Sequence, residues 1–541
     1  MSRTPKSHAF LLSKPPATFL SNNKAVIDRP VITNLTLSTS QLDSRIWHRI
    51  EKELYSHTSQ KSKQNAWVHV KIIDEGKISV DDLIVTDVRV GDSPPDISSG
   101  LSWESRPFGV WISRGNFTGN IGQAITEVDV LFGKDAVDPR PHWHLMQSPL
   151  QLNAEPKTPD ARLTVLHGRG RPGLDARPIL RAQDDGKFKI VQLSDTHMVT
   201  GDGICRDAID EEGRKLPESD ADPLTVDFIE KILDIEHPDL VVLTGDQLHH
   251  DIPDSQSALF KVVAPIIKRS IPFATVFGNH DSEGRHALSR TAQMSILQDL
   301  PFSLCEPGPE HVDGIGNFCL KILAPAPSRC PLSTLYFLDS HGQIPSEIHN
   351  PDYEPIAQNQ IDWFTDISKT QRTAREKDSG NSGFYPSLVF LHIPLPEFGD
   401  PHLLVSNGRR REPTEGPSVN SHFYDALVRE GVSAVGCGHD HVNDFCAILP
   451  SHEQQDVAGK LGAGPYLCYG GSCGFGGYCS YGRDRFHRRM RIWELDTASD
   501  SLKTWKRVEY AKERVDELWL VQNGTIALPP EEKRDKGCVV A

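Results

Sequence analysis

The feature that most constrains the fold of this chain is a repeated pattern in which a short apolar run stops at an aspartate, asparagine or histidine. One example is DLVVLTGDQLHHD at 239–251, where four apolar residues lead into Gly245 and Asp246. A continuous apolar run of this length, bounded by glycine and polar residues, is typical of a strand buried on both faces. A carboxylate at the end of such a strand needs a partner, because burying an unpaired charge is costly. The pattern therefore predicts core strands that carry functional side chains at one end.

Five runs follow this pattern. In chain order they deliver Asp195 and His197, then Asp246, then Asn279, His280 and Asp281, then His392, and finally His439 and His441. Amphipathic segments lie between the runs, for example DPLTVDFIEKILDIEHPD, for which Asp222 is the expected N-cap. Alternating strands and helices indicate an α/β layered fold, in which side chains beyond the carboxyl ends of strands meet at one edge. A single histidine at a strand end is usually an ordinary surface or core residue, but five matching ends favour one shared site.

These side chains offer carboxylates, imidazoles and one amide oxygen, and no thiolate. That donor set suits divalent Mn, Fe or Zn. The candidate ligands are Asp195, His197, Asp246, Asn279, His392, His439 and His441. Seven groups are too many for one tetrahedral ion, and they suit two ions if one carboxylate bridges them. Asp246 is the expected bridge.

Composition and patterning outside these runs set the expected domain organisation. We expect a disordered segment over 1–44, a β-rich N-terminal domain with its linker over 45–180, the α/β domain over 187–497, and a short helix with a polar tail over 498–541. The formal net charge of −15 argues against nucleic acid as a partner, since such binding needs a basic surface. Ten cysteines without a CxxC pair predict reduced thiols.

The two ends of the sequence bear on location. No signal-peptide core and no run of about 18 apolar residues is found, so we expect a cytoplasmic protein. The last four residues, Cys538 to Ala541, fit a C-a-a-X box with basic residues upstream. A prenyl group on Cys538 would give reversible membrane association, whereas the alternative is a tail that carries a cysteine by chance.

The order D-x-H, G-D, G-N-H-D, a separate H, and G-H-x-H resembles the calcineurin-like metallophosphoesterase superfamily. The similarity extends to the branch of fungal calcineurin-like phosphatases and short plant purple-acid-phosphatase-like proteins. It is carried by the segments FKIVQLSDTHM, PDLVVLTGDQL, HIPLPEF, GHDHVNDFC and CYGGSCGFGGY. The resemblance covers 187–497. It implies an α/β (α+β) four-layer fold, a β-sandwich flanked by helices, with the small β-rich N-terminal domain outside it.

The resemblance also implies a role for each candidate residue. One ion would be held by Asp195, His197, Asp246 and His441, and the other by Asp246, Asn279, His392 and His439. His280 would contact the phosphate and protonate the leaving group, and Asp281 would orient His280. The expected function is a metal-dependent phosphoric ester hydrolase that cleaves phosphomonoesters, phosphoproteins among them, with a metal-activated water. Two alternatives stay open: a phosphodiesterase acting on nucleotides or other diesters, and a catalytically silent regulatory binder.

Three further features have more than one interpretation. His249 stands where true purple acid phosphatases have an iron-binding tyrosine, and it could be an extra ligand, a substrate contact or an exposed side chain. The basic segment Arg409–Arg411 could bind substrate anions from a lid or form a solvated loop. The glycine-rich segment 470–482 could let backbone approach the site or simply connect strands.

Overall fold

The computed structural model describes residues 30–54, 65–95, 102–154, 158–168, 177–217, 219–345, 352–379, 385–455 and 461–529. Two seven-stranded sheets form the larger part of the molecule, and three smaller sheets form a domain that precedes them. None of the helices in these residues has the length and apolarity needed to cross a bilayer.

In the described part of the chain, the N-terminal domain is built from nine strands. They are β1 (Pro30–Ser38), β2 (His48–Arg49), β3 (Trp67–Asp74), β4 (Leu83–Val90), β5 (Trp103–Arg106), β6 (Val110–Asn116), β7 (Ile125–Phe132), β8 (Trp143–Leu145) and β9 (Ala161–His167). They form three antiparallel sheets with the orders β1-β3-β2, β4-β6-β5 and β7-β9-β8. In each sheet the third strand lies between the other two, a topological repeat that the sequence analysis did not anticipate.

The expected disorder over 1–44 is wrong for 30–38, which is strand β1; residues 1–29 lie outside the described part of the chain. The strand forms because its apolar residues alternate, and Leu35 and Leu37 enter the same core as Val68 and Val70 of β3. The N-terminal domain is β-rich, as predicted, and it starts earlier than expected.

Among the residues that the structure describes, the main domain contains eighteen strands and five helices. The strands are β10 (Lys187–Leu193), β11 (Leu240–Thr244), β12 (Phe273–Val276), β13 (Phe318–Leu323), β14 (Pro331–Phe337), β15 (Ser387–Phe390), β16 (Leu404–Asn407), β17 (Ala434–Cys437), β18 (Cys446–Ile448), β19 (Pro450–Gln455), β20 (Leu461–Ala463), β21 (Tyr466–Tyr469), β22 (Ser480–Tyr481), β23 (Asp484–Arg485), β24 (Arg489–Asp496), β25 (Ser501–Val508), β26 (Val515–Gln522) and β27 (Thr525–Ile526). The helices are α1 (Ala221–Glu236), α2 (Ser255–Lys268), α3 (Arg290–Gln298), α4 (Gln358–Ser379) and α5 (Phe423–Glu430).

The two large sheets pack face to face, with helices on both outer surfaces. Their orders are β12-β11-β10-β24-β25-β26-β27 and β13-β14-β15-β17-β21-β18-β16. Strand β11 shows the layering directly: Leu240 and Val242 join the core between the sheets, while Val241 and Leu243 join the core under α1, α2 and α3. A separate core lies between the second sheet and α4 and α5. The predicted four-layer sandwich flanked by helices is confirmed.

The end of the chain differs from expectation. The short helix predicted within 498–541 is wrong, because 501–508 and 515–522 are strands β25 and β26 of the first sheet. Leu502 and Leu520 enter the core between the two sheets, and Trp505 enters the core under α1, α2 and α3. The expected tail beyond residue 529 lies outside the described residues.

Two smaller expectations also change. Cys446 and Cys468 form a disulfide between neighbouring strands β18 and β21, so the prediction of reduced thiols is wrong for this pair. Helix α1 has Asp220 as its N-cap, which places Asp222 inside the first turn, where its side chain is buried. The two-residue difference is typical of helix ends read from sequence.

Candidate metal centre

The site forms where parallel strands of both sheets end at one edge of the sandwich. Strands β10, β11 and β12 are parallel in the first sheet, and β15 and β17 are parallel in the second. The loops that follow these five strands carry Asp195, His197, Asp246, Asn279, His392, His439 and His441. All are buried except His439, which is partly buried. The predicted convergence beyond the carboxyl ends of the strands is thus present.

The side chains gather in two groups, each compact enough to hold one ion. Asp195, His197 and His441 form the first group, and Asp246, His392 and His439 form the second. Within each group the ligand atoms lie within 4.8 Å of one another. This division matches the ligand sets that the resemblance implied, apart from Asn279 and the shared role of Asp246.

Asp246 lies between the two groups. Its Oδ2 is 3.3 Å from Nε2 of His392 in the second group and 3.7 Å from Nε2 of His197 in the first. One carboxylate within reach of histidines from both groups has the position that a bridging ligand requires.

The hydrogen bonds around the site fit metal binding. Nδ1 of His392 lies 2.8 Å from the carbonyl oxygen of Thr244, and Nδ1 of His441 lies 2.8 Å from that of Tyr478. A carbonyl can only accept, so each Nδ1 donates in these contacts, and the Nε2 of a neutral ring is left with a free lone pair. The buried Oδ1 of Asn279 has no hydrogen-bond partner among the described residues, although such atoms are nearly always satisfied. These atoms are available to coordinate divalent ions.

Burial shifts the pKa values of two histidines and one carboxylate of the site. It lowers the pKa of His441 to about 3 and holds the pKa of His197 well below its usual value. Both rings are therefore neutral, which is the form that binds metals. Burial also raises the pKa of Asp195 to about 7. Desolvated carboxylates crowded beside imidazoles are an arrangement that added positive charge stabilises.

His280 faces this centre, but its partner is not the predicted one. Its Nε2 lies 4.0 Å from Oδ2 of Asp246, and its Nδ1 hydrogen-bonds Oε2 of Glu283 at 2.6 Å. Burial alone would lower the pKa of His280, but Asp246 and Glu283 raise it to about 9. The protonated ring is thus favoured. Glu283, which the sequence analysis missed, takes the orienting role expected of Asp281.

Asp281 instead ties loops together. Its carboxylate accepts backbone N–H groups from Gly278, Asp246 and Leu248 at 2.7, 3.0 and 2.9 Å. These bonds join the loop after β12 to the loop after β11. The role of Asp281 as the orienting partner of His280 was therefore wrong; it fixes the backbone that carries two candidate ligands.

The ligand loops adopt an uncommon backbone. Asp195, His197, Asp246 and His439 all have positive φ, at 54°, 47°, 49° and 76°. Non-glycine residues adopt this region at a cost and cluster at functional sites when they do. Gly278 is needed for a different reason, because a Cβ at this position would overlap Asp246. The absence of a side chain at Gly278 therefore lets the loop after β12 approach Asp246 closely.

The glycine-rich segment packs directly beneath the ligands. A Cβ on Gly477 would overlap the rings of His441 and His197. The ring of Tyr478 stacks on His441 with centroids 4.0 Å apart, and its hydroxyl bonds Glu412 at 3.0 Å. Of the two interpretations of 470–482, close backbone approach to the site is the one the geometry favours.

The structure also shows the contacts of Arg410, Arg411 and His249, which had more than one interpretation from sequence. Arg411 pairs with the buried Asp444 at 2.7 Å, and Arg410 bonds the Phe398 carbonyl at 2.9 Å, so both have structural partners. His249 belongs to neither candidate metal group of the described residues, and its ring lies 5.8 Å from that of His197. His249 therefore lies beside the candidate metal centre but outside both of its ligand groups.

A pocket of about 360 Å³ opens beside the second group. Asn279 and Glu283 belong to both the centre and the pocket wall. The rest of its polar wall includes Arg290, Asp339, His341 and Glu354. Arg290 is occupied by Asp339 and by the carbonyls of Gly278 and His341, so it braces the wall. No sequence motif indicates this pocket, since its residues come from separate loops.

Comparison with known proteins gives a consistent assignment. The profile of the family described as calcineurin-like phosphoesterase matches residues 188–443. Phosphatase DCR2 of Saccharomyces cerevisiae is 35% identical over 418 residues, which cover 74% of this chain and 67% of that protein. A protein of Arabidopsis thaliana named "Probable inactive purple acid phosphatase 29" is 34% identical over 359 residues, covering 62% of this chain and 86% of that one. The solved structure of a dimetal phosphatase from Danio rerio covers 62% of this chain and 99% of its own at 13% identity, and its TM-score of 0.36 is too low to inform on function.

Proposed function

Because the chain belongs to the calcineurin-like phosphoesterase family, we propose that it is an active phosphomonoesterase with two divalent metal ions. The observation that carries the proposal is the position of Asp246 between two compact ligand groups. A binding protein that only kept the fold would have no use for two complete groups, a bridging carboxylate and His280 together.

The proposed ligands of each ion follow from the two compact groups of side chains. Asp195, His197 and His441 would hold one ion, and His392, His439 and Asn279 the other, with Asp246 shared. When bound, a pair of divalent ions supplies charge stabilisation for the phosphoryl group and a nucleophile at neutral pH. Mn, Fe and Zn all suit these donors.

His280 is the residue placed to handle the leaving group. Its Nδ1 is held by Glu283, so Nε2 is directed toward the centre and can donate a proton to the departing oxygen. A positioned general acid typically contributes about 10²–10⁴-fold to rate. The neighbouring pocket of about 360 Å³ shares Asn279 and Glu283 with the centre, so it can receive the alcohol part of a phosphomonoester, such as a phosphoserine peptide.

Relatives support different versions of this proposal. One carries the name phosphatase, which favours catalysis, and another carries the word inactive, which favours a silent binder. Diester hydrolysis is the third possibility, and none of the described side chains singles out a diester.

One experiment separates the three. The metal-free protein is reconstituted with Mn²⁺, Zn²⁺ or Fe²⁺ and assayed with p-nitrophenyl phosphate, bis-p-nitrophenyl phosphate and a phosphoserine peptide. We expect turnover of both monoesters, loss of turnover with chelator, and loss of turnover and metal in Asp246→Asn. Preference for the diester would replace the proposed reaction, and metal uptake without any turnover would identify a silent binder.

Location and lipid attachment are part of the proposal only as predictions. Cys538 lies outside the described residues. Prenylation of Cys538, and with it reversible membrane association of a cytoplasmic protein, is tested by mass spectrometry of the protein isolated from cells. An unmodified Cys538 in protein that stays entirely in the soluble fraction would reject it.

A further inference from the structure

A buried lysine joins the N-terminal domain to the loop that carries His197. Lys261 lies on α2, and only 4% of its side chain is exposed. Its Nζ contacts Asp222 on α1 at 2.5 Å and Asp135 of the N-terminal domain at 2.6 Å. A buried ammonium requires such counterions, because its desolvation is costly. Each domain therefore supplies one counterion of the same lysine.

The lysine and its partner hold the backbone just after His197. Nζ of Lys261 donates to the carbonyl of Gly201 at 2.6 Å, and the carboxylate of Asp222 accepts the N–H of Val199 at 3.0 Å. These two bonds fix both ends of a short stretch that begins two residues beyond His197. The conformation of His197 itself is strained, with φ of 47°, so it depends on such neighbours.

The N-terminal domain also touches this stretch directly. A Cβ on Gly133, one residue after β7, would overlap Asp135 and approach the backbone nitrogen of Gly201 to 3.1 Å. Lys134 pairs with Asp202 at 2.5 Å. Leu131 of β7 belongs to the core beneath α1, α2 and α3. Contacts before and at Asp135 thus all meet the same loop or the helices that support it.

From this network we propose that the N-terminal domain is a positioning element for the metal centre, which acts through Asp135 and Lys261 on the His197 loop. The proposal rests on the metal centre proposed above. It assigns the domain a part in metal binding: without Asp135, Lys261 keeps one counterion, and the bonds to 199–201 lose their rigidity. The ion held by Asp195, His197 and His441 then binds more weakly, while the other ion is unaffected.

The test uses the full chain and metal binding instead of turnover. Asp135→Asn removes the N-terminal counterion but leaves Asp222 beside Lys261, so folding should survive. Binding of Mn²⁺ alone is followed by titration calorimetry, and amide hydrogen exchange is followed over 198–203. We expect one of the two binding steps to weaken by roughly 10- to 100-fold, the usual effect of losing a partner of a ligand-bearing group, and faster exchange in that loop.

Gln256→Ala is the matched control. Gln256 is also on α2 and also bonds the N-terminal domain, through Asp129 at 2.9 Å, but it has no hydrogen bond to 199–201. The control should leave both binding steps unchanged. The proposal is overturned if Asp135→Asn weakens both steps equally, leaves both unchanged, or matches Gln256→Ala. Because none of these readouts needs turnover, a silent binder could still pass the test, and an active enzyme could still fail it.

Discussion

At the residue scale, three imidazoles of the centre differ in what their Nδ1 atoms contact. Backbone carbonyls accept from Nδ1 of His392 and His441, which fixes the tautomer in which Nε2 of a neutral ring has a free lone pair. Glu283 holds Nδ1 of His280, and a carboxylate favours the protonated ring. These two ligands and the expected proton donor thus differ in the acceptor that holds Nδ1.

This difference predicts a selective effect of Glu283→Gln. The change keeps the size of the side chain but removes the charge that stabilises protonated His280, so kcat should fall by about 10- to 100-fold. The fall should be larger for a phosphoserine peptide than for p-nitrophenyl phosphate, because a poor leaving group needs its proton more. Steady-state kinetics with both substrates, together with elemental analysis, measure it.

Retention of both metals is part of the expected result. Glu230→Gln, a similar change on the surface of α1 where Glu230 pairs with Lys268, serves as the control and should keep the normal kcat. Loss of metal in Glu283→Gln, or an equal fall with both substrates, would show that Glu283 supports the ligands and does not orient His280.

The ligands could be predicted from sequence because each follows a strand, whereas Glu283 could not. A turn of 3-10 helix at His280–Ser282 brings the residue three positions on back to the His280 ring. Asp281, the nearest acidic residue in sequence, points to backbone N–H groups on the opposite side of that turn. Closeness along the chain was the only sequence signal for the partner of His280, and it favoured Asp281. The turn of 3-10 helix instead brings Glu283 to the His280 ring.

At the scale of the element, the strands that end in ligands were the easiest to predict, since they are short, apolar and bounded by glycine. Strand β1 was missed because polar residues alternate with its apolar ones in TNLTLS, and β25 was missed because SLKTWKRV is mostly polar although most of its residues are buried. Such polar strands look like loops or amphipathic turns unless their pairing partners are known. β3, the partner of β1, lies far along the chain. β24, the partner of β25, is separated from it by a turn that has no strong sequence signal.

The placement of β25 in the sheet predicts contrasting effects of two tryptophan substitutions. Trp505 on β25 is fully buried and donates Nε1–H to Glu236, whereas Trp519 on β26 is 38% exposed. Trp505→Ala should lower the free energy of unfolding by about 3–5 kcal/mol, the usual cost of removing a large buried aromatic ring. Trp519→Ala should cost clearly less. Urea unfolding followed by circular dichroism measures both, and equal small effects would place β25 outside the core.

At the scale of the whole molecule, the residues of the candidate metal centre come from both halves of the sandwich. Asp195, His197 and Asp246 extend from the first sheet, and His392, His439 and His441 extend from the second. Each candidate group contains residues from both sheets. His441, from the second sheet, belongs to the group of Asp195 and His197, and Asp246, from the first sheet, belongs to the group of His392 and His439. Each bound ion would therefore add a link between the sheets at this edge, beside hydrogen bonds such as that from the N–H of His439 to Asp195.

Metal binding should then stabilise the fold as a whole. A ligand present at about 100 times its Kd raises the free energy of unfolding by about 2.7 kcal/mol per site, because it binds the folded state alone. Thermal unfolding of the wild type should shift upward with added Mn²⁺, and hydrogen exchange should slow at the ends of β10 and β17 together. Asp246→Asn, which removes the shared ligand, should abolish most of both effects. Slower exchange confined to one sheet would mean that the ions do not join the halves, since a link between them must protect both.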